Sequence, residues 1–81
     1  MIRATTSHGT YYLIDPVNYC AKRFPAADRG YLRTDGGWFQ FHSWSGAKVG
    51  EAMFFHIINN PNYDWQRTTP VVSVEEVDYD T

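Results

Sequence analysis

Apolar and polar residues alternate along this chain in short runs separated by turn formers, a pattern that predicts β-strands with side chains on two faces. The run that organises the rest is residues 32–44, Leu-Arg-Thr-Asp-Gly-Gly-Trp-Phe-Gln-Phe-His-Ser-Trp. Asp35, Gly36 and Gly37 supply a tight turn, because these residue types tolerate positive φ. After it, a period of two places Trp38, Gln40, His42 and Trp44 on one face of a strand and Phe39 and Phe41 on the other.

Residues 2–6 and 10–14 read as a hairpin joined by Ser7, His8 and Gly9, with Gly9 in a left-handed position. In its second strand Tyr12 and Ile14 face one side and Tyr11 and Leu13 the other, so both faces are expected to be covered or contacted. Asp15-Pro16-Val17-Asn18 is a turn, since aspartate suits the first position and proline presets φ at the second. Residues 19–24 make a third strand, with a helical turn as the competing reading, and Pro25 ends either version. A loop over 26–30 follows, and 31–34 lead into the Asp-Gly-Gly turn. Within 45–50, the glycines permit the sharp change of direction that a barrel corner needs.

Residues 51–58 suit a buried strand, although Glu51, Ala52 and Met53 would also begin a helix; the strand is favoured. Residues 59–64, Asn-Asn-Pro-Asn-Tyr-Asp, are a loop by composition. A strand over 65–69 is closed by Pro70, which cannot donate to a ladder and therefore belongs at an edge, a bulge or a change of strand partner. The last strand, 71–77, places Val72 and Val74 on one face and Val71, Ser73 and Glu75 on the other, and 78–81 are expected to fray. About six short strands predict an all-β fold over residues 1–81, as a small SH3-like barrel or a two-layer antiparallel sandwich. Closure would hide the edge strands.

Size and composition turn this fold toward binding. A domain of 81 residues buries only about 60–65% of the surface of its unfolded chain. With 17% aromatic residues, such a core leaves an aromatic remainder, and exposed aromatics make contact surfaces. The formal charge of −2 provides no general attraction to nucleic acid or anionic lipid. Basic residues gather at Lys22, Arg23, Arg29, Arg33 and Lys48 and acidic ones at Glu75, Glu76, Asp78 and Asp80, both readable as ordinary solvated surface. The single cysteine, Cys20, has no intramolecular disulfide partner, and the chain shows neither a signal-peptide pattern nor an apolar run near the ~20 residues that span a bilayer. A cytoplasmic location is expected.

No catalytic motif emerges. Ser43 and Ser45 beside His42 lack the glycine-flanked strand-to-helix turn of a nucleophile elbow. His8, His42, His56 and Cys20 are metal ligands by type, but their spacings match no metal pattern. The expectation is a protein that is not an enzyme and needs no cofactor or metal. Tyr, Trp and Arg dominate binding hot spots by joining large apolar area to directional polar groups. Trp38, Trp44, Tyr11 and Arg33 are accordingly the candidate protein-binding residues, and a homodimer would also cover an aromatic face. The competing reading is a stacking platform for single-stranded nucleic acid, with Trp38, His42 and Trp44 near Arg33 and Lys48, against which the acidic balance counts.

Three segments carry a resemblance: Leu32-Arg33-Thr34-Asp35-Gly36-Gly37-Trp38, Val49-Gly50-Glu51-Ala52-Met53 and Arg67-Thr68-Thr69-Pro70-Val71-Val72-Ser73-Val74. Together they resemble small proteins of actinobacteriophages, of the mycobacteriophage type, with Ala52 standing where that pattern has proline. The resemblance implies a phage origin, a small β fold, residence in the host cytoplasm, and action by binding a host protein or blocking a defence system. It carries no functional residue over.

Overall fold

Local turn chemistry sets the first half of the molecule, which a computed structural model describes over residues 1–26, 37–59 and 62–78. Strand β1 (Ile2–Thr6) turns into β2 (Tyr11–Asp15) through Gly9, whose φ of 86° is the left-handed value expected there. The Thr6 N–H closes this turn on the Thr10 carbonyl at 2.8 Å. At the next turn one Asp15 carboxylate oxygen accepts from the backbone N–H groups of Val17 and Asn18, at 3.0 and 3.1 Å, and the other from the Asn18 amide at 2.8 Å. The turn leads into β3 (Cys20–Phe24), a strand and not a helical turn, which ends at Pro25 as expected.

Strands β4 (Trp38–Trp44) and β5 (Ala52–Asn59) follow, and β5 resolves the second helix-or-strand ambiguity in favour of the strand. Between them Gly50 turns the chain with φ of 92°. The 31–34 lead-in and the Asp35-Gly36 part of the predicted turn lie outside the described residues.

Strand β6 (Asn62–Glu76) corrects the reading of the C-terminal third. Asn59 pairs with Asn62, so residues 59 and 62–64 of the predicted loop are strand, while 60–61 lie outside the described residues. The two strands expected on either side of Pro70 are one continuous strand that changes partner there. It pairs with β5 through Pro70 and with β1 from Val71 to Glu76. Extra residues on β6 bend it on both sides of the switch, at Thr68–Thr69 and at Val72. The second bulge also breaks the alternation predicted for 71–77: Val71 lies opposite Thr6 and is buried, Val72 is the extra residue, and Val74, opposite Ala4, is exposed.

All neighbouring strands are antiparallel, and the order β1 to β6 with β6 back on β1 closes a six-stranded barrel. This all-β architecture is consistent with the expected SH3-like barrel, and closure replaces the open sandwich. Phe55 sits at the centre, with the rings of Tyr12, Phe39, Phe41 and Trp44 within 5.4–5.9 Å. Ala4, Ile14, Met53 and Val71 fill the space around these rings. Tyr12 and Ile14 point inward, and Leu13 on the opposite face of β2 is also buried, which agrees with the expectation that both faces of that strand are covered.

Candidate aromatic face on strands β4 to β6

A single β-bulge decides which aromatics are left outside. Phe41 pairs with Ile57, but Ser43 pairs with His56 and Trp44 with Phe55, so β4 holds one residue more than β5 needs, at His42. The bulge reverses the facing of everything after it. Trp44, predicted to share a face with Trp38, Gln40 and His42, is turned inward instead, stacked on Phe55 at 5.9 Å and 9°. His42 and Ser43 are both exposed.

On the outer surface, neighbouring strands therefore place His42 beside His56 and His56 beside Trp65. The His42 and His56 rings meet edge to face at 5.6 Å. His56 and Trp65 stack flat, 4.3 Å between centroids and 3° between planes. Two pairs further along the ladder, Phe54 faces Arg67, whose guanidinium lies 5.5 Å from the phenyl centroid. Trp65 is 67% exposed, and Trp38, Phe54 and Ile58 are each close to 40% exposed. A cleft of about 160 Å³ opens beside Phe54, between Ser45 and Lys48.

Of the four residues singled out in the sequence, only Trp38 belongs to this face. Tyr11 lies on the outer side of β2, stacked on Phe24 at 4.7 Å beneath the Arg3 guanidinium at 4.2 Å. Trp44 is packed against the core, and Arg33 lies outside the described residues. Sequence reasoning missed Trp65, His56, Phe54 and Arg67 as members of one surface. The signal was present in the alternation Trp65, Arg67 and Phe54, His56, Ile58, but pairing β5 with β6 in register was needed to see it.

The chemistry of the face is contact chemistry. Among the described residues no three His, Cys, Asp or Glu side chains are grouped to hold a metal ion. Burial, aided by the Asp15 carboxylate, pushes the Cys20 thiol above its ordinary value, which disfavours the nucleophilic thiolate. No helix among the described residues is long and apolar enough to cross a membrane. No family model matches the chain, and neither a curated protein nor a solved structure matches it.

Proposed function

We propose that this chain is a non-enzymatic phage protein that binds a host protein through the outer face of β4 to β6. The observation that carries this reading is Trp65, held 67% exposed with its ring stacked flat on His56. A tryptophan held in place by a neighbouring ring loses little rotamer freedom on binding, so more of the gain from burying it reaches the affinity. Trp38, Phe54 and Ile58 widen the apolar surface around it, and Arg67 adds the directional cation that hot spots favour. Phage origin and a host partner rest on the sequence resemblance, with action as a host-takeover or anti-defence module as its consequence.

The test is capture from an actinobacterial lysate by the tagged protein, with nuclease present and at raised salt, followed by direct binding to the purified target. Wild-type protein should retain one partner under every condition. Trp65→Ala should lose it, and Val17→Ala, at an exposed turn far along the chain, should keep it. Equal capture by wild type and Trp65→Ala would sink the assignment of this face.

A second reading has its own support. A flat aromatic stack two strand positions from an arginine is also a platform for unpaired bases. In that case, binding to a labelled oligonucleotide would weaken steeply with salt and vanish with nuclease. A self-associating structural protein would instead appear as a concentration-dependent mass in sedimentation.

A further inference from the structure

One end of the barrel carries a second feature, which shares Arg67 with the aromatic face but not Trp65. A pocket of about 180 Å³ lies between the β1–β2 hairpin, the end of β3 and the β6 bulge, lined among others by His8, Thr10, Arg23, Arg67 and Thr69. No carboxylate among the described residues lines it, in a chain whose formal charge is −2. Arg67 rests over the Phe54 ring and forms no ion pair with a carboxylate among the described residues. Thr10 is buried, with 6% of its surface exposed, and its hydroxyl oxygen accepts from the Ala26 N–H at 3.2 Å. Its own hydrogen meets no acceptor among the described residues, and so is left to donate into the pocket.

We infer that this pocket binds a small oxyanion, a phosphoryl or carboxylate group, with the Arg67 guanidinium and the Thr10 hydroxyl as donors. The chemistry is one-sided: guanidinium groups only donate, and they match the paired oxygens of both anions. Size limits the group held inside, since a cavity of about 150 Å³ takes a molecule of benzene's dimensions. That admits a phosphate or a chain-terminal carboxylate, with any larger body of the ligand left outside the open mouth.

The test is a titration of the isotope-labelled protein with inorganic phosphate and, separately, with N-acetylglycine. Both are followed by amide chemical shifts at constant ionic strength, with chloride as the control. Saturable shifts should appear at Thr6, His8, Thr10, Thr68 and Thr69 with at least one of the two probes. The probe that saturates at lower concentration identifies the source, a phosphoryl group or a peptide terminus. Arg67→Gln, at an exposed site where folding is not at stake, should weaken binding about tenfold or more, the loss of a charge-assisted hydrogen bond. Trp65→Ala should leave it unchanged, which separates this pocket from the aromatic face. Shifts that fail to saturate with either probe, that chloride reproduces, or that persist in Arg67→Gln would overturn the assignment.

Discussion

At the scale of single residues, Trp44 and Trp65 have opposite duties. Trp44 is half-buried against Phe55 and Phe41, so Trp44→Ala should destabilise the fold by about 2–4 kcal/mol, visible as a lower thermal midpoint. Trp65→Ala removes only a surface stack and should cost less than about 1.5 kcal/mol by the same measurement. Asp15 adds a pH dependence. The Asn18 side-chain amide, then the Asn18 and Val17 backbone N–H groups, hold its carboxyl below the ordinary 3.8. A depressed folded-state value contributes stability above the unfolded value, lost as pH falls through the folded one. Melting curves between about pH 6 and pH 2 should therefore show a steeper acid loss for wild type than for Asp15→Ala. The same turn places Tyr19 at a left-handed φ of 54°, at a cost of roughly 1–2 kcal/mol. Its edge-on contact with Phe41, 5.7 Å between centroids, offsets roughly 0.5–1.5 kcal/mol of that strain.

At the scale of elements, the bulges shape both candidate sites. The His42 bulge leaves two consecutive side chains outside and sends Trp44 in, which is why Trp38 and Trp44 do not share a surface. In β6 the bulge at Thr68–Thr69 takes a ladder acceptor away from Met53. The Met53 N–H donates instead to the Thr68 hydroxyl at 2.9 Å, and that hydroxyl donates to the Thr69 carbonyl at 2.6 Å. Thr68→Val would leave a buried N–H without an acceptor, at about 1–3 kcal/mol. Amide hydrogen exchange should register it as faster exchange at Met53, with the distant β1–β2 pairs far less affected.

For the whole molecule, closure depends on the second half of β6. Pro70 has no N–H to give, but its carbonyl accepts from the Ser7 N–H at 2.9 Å as the strand passes from β5 to β1. Val71, 1% exposed, then enters the core. A chain ended after Pro70 would keep the β5–β6 hairpin yet strip β1 of its second partner, leaving open edges in a domain already short of core. Its circular dichroism should show no cooperative thermal transition; a retained sharp transition would mean that closure contributes little. The ion pairs Met1–Glu76 and Arg3–Glu75 also bridge β6 to the N-terminal strand, but they are exposed and worth at most about 1 kcal/mol each.

Alternation and turn chemistry act between near neighbours, and they were enough to read the all-β class, the Gly9 hairpin and the Asp15 turn, and to favour strands over 19–24 and 51–58 where a helix competed. Those features follow from backbone preferences that each short segment carries by itself. Where the ladders slip by one residue was not legible, because a bulge answers to the partner strand and to the curvature needed for closure. Only the tertiary structure therefore decided that Trp44 packs inside, that residues 62–76 form one strand, and that His42, His56, Trp65, Phe54 and Arg67 share a face. Each of those outcomes is a pairing between residues separated along the chain, and the energy that selects it is the burial of Phe55 and its surrounding rings within a closed barrel.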